Sequence, residues 1–523
     1  MKRSGLLLAA ALGLWSASHA NDQANTAAAG PGDTSSGQRV SIKEFASMIA
    51  SADEMVQAQR LEEAVASQGL RGAQALFEPF FTSTLEREGQ NVLTSAQDAA
   101  RIGVQPMTTF FLKESRFKNA LGMKAPTGAD LELSYNITNW QDSVQPLRQV
   151  YETEKRGFVG FKVTQPMIRG AGQRITRMGM DVADREKAVA TETWRQVLAQ
   201  RVMDGLQSYI FVQRAEERVR LRTQARDVAL QIAQNMGQQH ASGLRSASEL
   251  TEARSSLALR EAQLAQALQD LEEQQNALQV FLSGKGSAKD DVFVASKVMP
   301  GDRLDTGKPL KAENLTDQTA RKELLKSAIE KRPEARVNNL RIEREDLKAQ
   351  MAQDQSRPEF NFYMSYGRES LNYANQPFQN YFGGQIPYNR WTVGVTYKVG
   401  IFGDEKRDSD YQAAMIRREQ SELALGAIKQ RITNEVLVST TVLQRAQQQA
   451  ARQFEIAAAQ RNLLQVEKDM VKEGRRSSMD VMKKQLEVLT AEEALADAVA
   501  QVNRAGYLNA QVEGSLLSKV GLE

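Results

Sequence analysis

The chain has 523 residues, enough for two or more ordinary domains, and its 67 basic and 64 acidic residues leave a formal charge of +3. This balance gives no sign of a nucleic-acid partner. The absence of cysteine excludes disulfides and thiol chemistry.

The N-terminus predicts export. Residues 1–20 have a basic start, a ten-residue apolar stretch from Leu6 to Trp15, and small residues at Ser18 and Ala20, which is the pattern of a cleavable signal peptide. Ten apolar residues are too few for a membrane anchor, which needs about 20. Residues 21–40 are rich in Asn, Ala, Gly and Ser, and we expect them to be disordered.

Proline positions divide the rest of the chain into alternating blocks. All twelve prolines lie at 31, between 79 and 166, or between 300 and 387, which leaves two long segments free for uninterrupted helices. An irregular or β block is followed by a helical block, and this order occurs twice. The order predicts an internal duplication, with a first repeat at 41–299 and a second at 300–523.

Each repeat is expected to hold strands followed by a long helical hairpin. The strands are placed at 79–166 in the first repeat and at 358–400 in the second, where a helix at 317–355 precedes them. Apolar residues of the second hairpin recur at spacings of three, four and seven, which predicts a coiled-coil-like seam of Ile428, Ile432, Val436, Leu443, Ala446, Ala450, Ala457 and Leu464.

A short block marks the expected tip of each hairpin. Gly243-Leu-Arg-Ser-Ala-Ser-Glu-Leu250 and Gly474-Arg-Arg-Ser-Ser-Met-Asp-Val481 stand 231 residues apart, and each has a glycine, then hydroxyl residues, then an acid. Glycine commonly ends a helix and a hydroxyl residue commonly begins the next one. The tips are therefore predicted near 243 and 474.

The proline-bearing blocks contain segments with one apolar and one polar face. Residues 131–138, 360–367 and 391–399 alternate in this way. A soluble antiparallel sheet and a membrane barrel with a wet lumen are both compatible with the alternation. The roughly four to six strands expected per chain are too few for a barrel of at least eight, so the membrane interpretation requires several copies.

The strand region of the first repeat is longer than that of the second. Pro79 to Pro166 spans 87 residues, and Pro358 to Gly400 spans 42. The extra 45 residues include a predicted hairpin, 108–118 with 129–139, around the turn at 125–128. They either form extracellular loops or add strands to the barrel.

These features together resemble the TolC-like outer-membrane factor family, the outer membrane efflux proteins, over nearly all of the chain that follows the signal peptide. Thr164-Gln-Pro-Met-Ile-Arg-Gly170 resembles the strand-to-helix junction of that family. Arg332-Pro333-Glu334 resembles the start of a helix in the second repeat, and Glu78-Pro79 and Arg357-Pro358 resemble the starts of barrel strands. Gly400 departs from the pattern, since the family usually has Pro at the second junction.

The resemblance implies an α+β membrane protein in which three copies share a transmembrane antiparallel β-barrel and long helical hairpins form a periplasmic α-barrel. The implied place is the outer membrane of a Gram-negative cell, with an extension into the periplasm. The implied function is that of the channel-tunnel of a tripartite efflux or type I secretion system. Such a channel passively conducts substrate from an inner-membrane pump, of the RND or ABC type, through a periplasmic adaptor (membrane fusion protein).

The resemblance also implies no catalytic residue, no cofactor and no metal site. The residues agree, because His240 is the only histidine after the signal peptide and no Gly-rich phosphate loop is present. The rival interpretation is a periplasmic coiled-coil adaptor or structural protein with a small soluble sheet. That interpretation accounts for the helices and the signal peptide but not for the duplicated order of strands, helices and tips.

Functional residues carried over from the family lie at and near the tips. The turns that meet the adaptor would consist of Gly243, Leu244, Gly474 and Arg475. Alternatively, the two glycines are ordinary helix caps without a partner.

Polar contacts between the hairpins close the tunnel in the family. The matching gate positions are Ser248 and Glu249 on the first hairpin and Arg476 and Asp480 on the second, with a charge-assisted contact from Arg476 to Ser248 or Glu249. Serine and acidic residues also simply favour helix N-termini. Lys483 replaces an acidic lumen residue of the best-known members, so a ring of three lysines would favour anions and weaken block by multivalent cations.

Overall fold

The computed structural model describes residues 38–93, 95–103, 105, 109–142, 153–282, 298–307, 318–372, 388–401 and 404–522. The predicted signal peptide and most of the segment 21–40 lie outside these residues. In chain order the elements are β1 (Gln38–Val40), α1 (Ile42–Ala52), α2 (Glu54–Gln74), β2 (Phe80–Leu93), α3 (Ala96–Ile102), β3 (Thr109–Lys124), β4 (Asp130–Asp142), β5 (Glu154–Pro166), α4 (Gln173–Ala241), α5 (Ala247–Gln279), β6 (Val298–Pro300), α6 (Gln318–Lys331), α7 (Pro333–Gln355), β7 (Glu359–Asn372), β8 (Tyr388–Lys398), α8 (Glu405–Lys472), α9 (Ser478–Val512) and α10 (Leu516–Val520).

Two helices are much longer than the rest, and each is the first arm of a hairpin. α4 has 69 residues and α8 has 68, so each extends about 100 Å at 1.5 Å per residue. α4 packs along α2, α5, α7 and α9, while α8 packs along α7 and α9. The two hairpins therefore lie side by side in one chain and meet where α4 contacts α9.

The predicted seam of the second hairpin is buried. Ile432 and Val436 pack with Ala335 and Val512, and farther along α8 the smaller Ala450 packs with Val502. Small side chains on both partners allow the helix axes to approach closely, which leaves the polar faces of α8 and α9 turned outward. Of the helices in the described residues, none combines the length and the apolar character needed to cross a membrane.

The largest apolar core fixes α1 against the middle of α4. Gly205 makes the close approach possible, because a Cβ there would lie 2.3 Å from Cδ1 of the fully buried Ile49. The Tyr209 hydroxyl donates a hydrogen bond of 2.8 Å to the carbonyl oxygen of Val40. Burial raises the pKa of Tyr209 to about 12, so this donor keeps its proton under physiological conditions.

Two expectations about local structure are wrong. Residues 38–40, expected to be disordered, form β1 because they pair in parallel with β6. The single helix expected at 317–355 is divided into α6 and α7, since Arg332 between them has an extended backbone with φ −67° and ψ 128°. Pro333 then occupies the first position of α7, where a missing N–H is tolerated and the fixed φ suits a helix.

Six strands form one antiparallel sheet in the order β2-β3-β4-β5-β7-β8. The hairpin predicted in the longer strand region is present as β3 and β4, and it lies between β2 and β5. The first repeat thus supplies four strands of this sheet and the second repeat supplies two.

One face of the sheet carries an unbroken line of large apolar side chains. Paired positions on successive strands form this apolar row, which consists of Phe81, Leu121, Leu133, Phe161, Tyr366 and Trp391. The six side chains are between 42% and 70% exposed, so no other part of the described chain covers them. The neighbouring row on the opposite face is small or polar, and it consists of Thr82, Ala120, Ser134, Gly160, Gly367 and Arg390.

Candidate functional site

The two hairpin tips have the same backbone geometry. At the first tip, the Leu244 N–H donates to the Gln239 carbonyl at 2.9 Å, and the Gly243 N–H donates to the His240 carbonyl at 2.9 Å. This pair of bonds is a Schellman motif, in which a left-handed residue ends the helix. Gly243 is that residue, with φ 74°.

The second tip repeats these bonds. The Arg475 N–H donates to the Met470 carbonyl at 2.9 Å, and the Gly474 N–H donates to the Val471 carbonyl at 3.0 Å. Gly474 has φ 72°, within two degrees of its counterpart. The glycines are thus helix caps by geometry, which does not exclude a partner.

A capping box begins the return helix at each tip. Ser246 is the N-cap of α5, and its N–H donates to Glu249 Oε2 at 3.0 Å. Ser477 is the N-cap of α9, and its N–H donates to Asp480 Oδ2 at 3.2 Å. Glu249 and Asp480, predicted as gate residues, therefore also hold the first turns of these helices, as the alternative interpretation proposed.

Sequence reasoning missed Ser246 as the cap of the first tip and named Ser248 instead. The signal was available, since Ser246 and Glu249 have the three-residue spacing of a capping box. Ser248 contributes only a hydrogen bond between its Oγ and that of Ser246, at 2.9 Å.

The tips present exposed side chains of different chemistry at equivalent positions. Leu244 follows the glycine at the first tip and is 75% exposed. Arg475 follows the glycine at the second, where its side chain is 76% exposed and lies 3.4 Å from Glu473. An added Cβ at either glycine would meet no atom within 4 Å, so both turns are open to solvent.

The expected contact from Arg476 to Ser248 or Glu249 is not present within one chain. Arg476 Nε instead lies 3.7 Å from Glu467 Oε2 of its own hairpin. Glu249 is already engaged by Arg245 Nη1 at 2.9 Å. Its hydrogen bonds with the Ser246 backbone and with Arg245 lower the pKa of Glu249, so this carboxylate stays charged.

Near the tips the two hairpins are joined by apolar contacts. Met479 and Met482 of α9 pack with Ile232 and Met236 of α4 in a small core. This packing joins the two hairpins near their tips, and farther from the tips Arg222 of α4 donates to Glu493 of α9 at 2.8 Å. Lys483 lies on the exposed side of α9 and has no ion pair with any acid of the described residues.

No group of three or more His, Asp or Glu that could hold a metal ion occurs among the described residues. The tips present exposed apolar and charged side chains at equivalent positions.

Comparison with known proteins finds a match to one family model. Residues 324–506, which include α7, β7, β8 and α8, match the family model described as outer membrane efflux protein. The match covers about a third of the chain. The resemblance noted in the sequence is confirmed by this match, and the matched family consists of channels rather than enzymes.

Solved structures of outer-membrane channels share the fold of this chain. The CmeC outer membrane channel of Campylobacter jejuni superposes with a TM-score of 0.59 at 12% identity, covering 91% of this chain and 86% of that one. VceC from Vibrio cholerae gives 0.59 at 13% identity, covering 92% and 97%. The open state of MtrE from Neisseria gonorrhoeae gives 0.57 at 12% identity, covering 91% and 89%. No curated protein matches the sequence.

Proposed function

We propose that this protein is the outer-membrane channel-tunnel of a tripartite efflux or type I secretion system. Three copies share one β-barrel in the outer membrane, and their hairpins form an α-helical tunnel through the periplasm. The channel is passive. An inner-membrane pump of the RND or ABC class supplies the energy, and a periplasmic adaptor joins the pump to the tips.

The exposed apolar row carries this proposal. A soluble sheet with one apolar face would cover that face with helices or a second sheet. Trp391 is 70% exposed and Phe81 is 67% exposed, at opposite edges of the sheet. Hydrocarbon is the environment in which such a face costs nothing, and the small or polar row behind it suits a water-filled lumen. The rival interpretation, a periplasmic adaptor with a soluble sheet, leaves the row unexplained.

The sheet edges support assembly from several copies. β2 and β8 each have one neighbour in the sheet, so each leaves a row of backbone groups unpaired within the described chain. Unpaired groups in hydrocarbon cost several kcal/mol each, which only a closed barrel avoids. Pairing of β8 with β2 of the next copy closes the ring.

The long helices support a role across the periplasm. β5 ends at Pro166 and α4 begins at Gln173, so the tip at Gly243 lies about 100 Å from the edge of the sheet. A tip at that distance from the membrane is placed to meet a partner on the periplasmic side. Gly243, Leu244, Gly474 and Arg475 are the proposed docking residues.

In this proposal the gate is formed by contacts between neighbouring copies of the chain. Arg476 is half-exposed and its pair with Glu467 is long at 3.7 Å, which leaves the guanidinium available to a carboxylate of the adjacent copy. Ser248, Glu249 and Asp480 face the same end of the tunnel, and Lys483 lies one turn inside it.

Cell fractionation and cross-linking test the proposal. We expect the chain in the outer-membrane fraction as a trimer that dissociates on heating, because the sheet edges pair only between copies. A monomer in the soluble periplasmic fraction would contradict the channel and favour the rival interpretation.

Docking is tested with two leucine variants. Leu244→Ala at the tip should reduce adaptor capture and efflux, because it removes an exposed apolar side chain from the turn. Leu259→Ala is the matched control, since Leu259 is 56% exposed on the same hairpin but lies four turns away. Equal effects of the two substitutions, or no effect of either, would remove Leu244 from the docking surface.

A further inference from the structure

The inserted hairpin of β3 and β4 has the two-faced pattern of the other strands. Leu121 and Leu133 pair with each other and continue the apolar row between Phe81 and Phe161. They are 48% and 54% exposed, close to the values of their neighbours in the row. A loop outside the membrane would have no reason to place large apolar side chains in this register.

Apart from Lys113 near the start of β3, the charged residues of the hairpin lie on the opposite face. Arg116 Nη1 is 3.6 Å from Glu86 Oε2, and Lys118 Nζ is 3.1 Å from the same atom. Arg116 and Lys118 occupy even positions of β3, whereas Leu121 occupies an odd one, so the side chains point to different sides of the sheet. Charges are costly in hydrocarbon, and they are satisfied on a lumen face in contact with water.

The turn of the hairpin is anchored at the membrane end of the tunnel. The Gly172 N–H, at the start of α4, donates to the Thr127 carbonyl at 3.0 Å. Gln165 Nε2 of β5 donates to that carbonyl at 3.2 Å. Gly128 has φ 93°, and a Cβ there would lie 2.4 Å from the Gly170 carbonyl oxygen. The turn thus sits against the strand-to-helix junction, so β3 and β4 cover the full height of the sheet.

We infer that the β3–β4 hairpin is a membrane-spanning part of the barrel wall, with its Leu121 and Leu133 face against lipid acyl chains. This inference rests on the proposed trimer. Each copy then contributes six strands, and three copies make a barrel of eighteen. Without the hairpin, β2 would pair with β5, and three copies would make twelve.

The added strands widen the pore only at the outer membrane. Barrel diameter grows roughly in proportion to strand number, so eighteen strands give about 1.5 times the diameter of twelve. Barrels of about 16–18 strands leave an open aqueous channel. The helical tunnel gains nothing from the hairpin, so the hairpin makes the barrel a wider exit from the same tunnel.

Cysteine labelling tests the inference, and the chain contains no cysteine to interfere. Single variants Leu121→Cys and Leu133→Cys place a thiol on the apolar row, while Ala120→Cys and Ser134→Cys place one on the opposite face. The variants are reconstituted in liposomes and exposed to a small, charged thiol reagent. We expect the apolar-row thiols to react at least about tenfold more slowly, because the reactive thiolate is disfavoured in apolar surroundings.

Matched variants on β8 separate this inference from the proposed function. Val393→Cys lies on the lipid side and Thr392→Cys on the lumen side of a strand that does not belong to the insertion. Slow reaction at 393 with fast reaction at 121 and 133 would overturn the membrane-spanning hairpin and leave the barrel intact. Fast reaction at 393 as well would overturn the barrel itself.

The strand count provides a second, independent measurement. Electron cryomicroscopy of the purified trimer in lipid should show eighteen strands in cross-section. A ring of twelve, with the hairpin outside it, would overturn the inference even if every cysteine variant failed to fold.

Discussion

Replacing Gly243 by alanine isolates what the left-handed turn contributes to the first tip. Gly243 has φ 74°, and an added Cβ meets no atom within 4 Å, so the substitution acts on the backbone alone. An alanine in this conformation costs about 1–2 kcal/mol. The matched control is Gly237→Ala, six residues earlier in α4, where a Cβ also meets nothing within 4 Å.

The control substitution, Gly237→Ala, is expected to change stability in the opposite direction. In a helix interior, alanine is roughly 0.8–1.0 kcal/mol more favourable than glycine. The same chemical change is therefore expected to loosen the tip at position 243 and to strengthen the helix at position 237. Asparagine tolerates left-handed φ better than alanine, so Gly243→Asn should fall between glycine and alanine.

Amide hydrogen exchange of the peptide that covers 239–250 measures the effect. A change of one or two kcal/mol corresponds to a factor of about 5–30 in the population of the open state. We expect exchange at the Gly243 and Leu244 amides to accelerate by that factor in Gly243→Ala. Unchanged exchange in Gly243→Ala, or equal protection in Gly243→Ala and Gly237→Ala, would refute the assignment of the turn.

Three further predictions concern the gate, the core and the response to pH. Lys483→Asp should shift the open channel toward cations and strengthen block by multivalent cations, as measured by planar-bilayer recording. Gly205→Ala should destabilise the protein by about 1–3 kcal/mol, seen in thermal unfolding, because the new Cβ overlaps the buried Ile49. The capping box of the first tip should weaken in acid, seen as lower protection of its amides relative to their intrinsic exchange rate. Hydrogen bonds lower the pKa of Glu249 in the folded tip, so they stabilise the tip at pH values above the unfolded pKa. This stabilisation is lost as pH falls through the folded pKa.

Each of these has a control and a contrary outcome. Lys484→Asp is the same charge change at the next residue, which is already paired with Glu487, and it should alter selectivity less than Lys483→Asp. Unchanged cation selectivity in Lys483→Asp would remove the lysine ring. Gly426→Ala, in open space within α8, should not destabilise. Glu249→Gln should abolish the acid response, and an unaltered response would assign it to another group.

Features of the chain that depend on neighbouring residues were predictable. The tips follow from a glycine and a serine three residues later, a local pattern that holds in both copies. The inserted hairpin follows from the turn at 125–128 between two alternating segments. The first strand of this hairpin was predicted to end at 118, whereas β3 extends to Lys124. The prediction stopped early because the alternation of apolar and polar residues weakens where glycine and alanine replace larger apolar residues.

Features that depend on distant partners were not predictable. β1 exists only because residues 298–300 pair with it, and no local pattern distinguishes it from the small and polar residues that precede it in the sequence. The break at Arg332 is the exception, because Pro333 and the resemblance of Arg332-Pro333-Glu334 to a helix start marked it locally. The partner of Arg476 depends on which acids of its own hairpin lie within reach, and Glu467, nine residues earlier, proved nearer than the first hairpin.

Both tips have one backbone shape, although five of the eight residues in the two blocks differ. A partner that recognises main-chain groups would have two equivalent binding sites on each chain and six on the proposed trimer. A partner that recognises side chains would meet Leu244 at three of these sites and Arg475 at the other three. The measured stoichiometry of binding, six or three per trimer, therefore reports which of these the partner recognises.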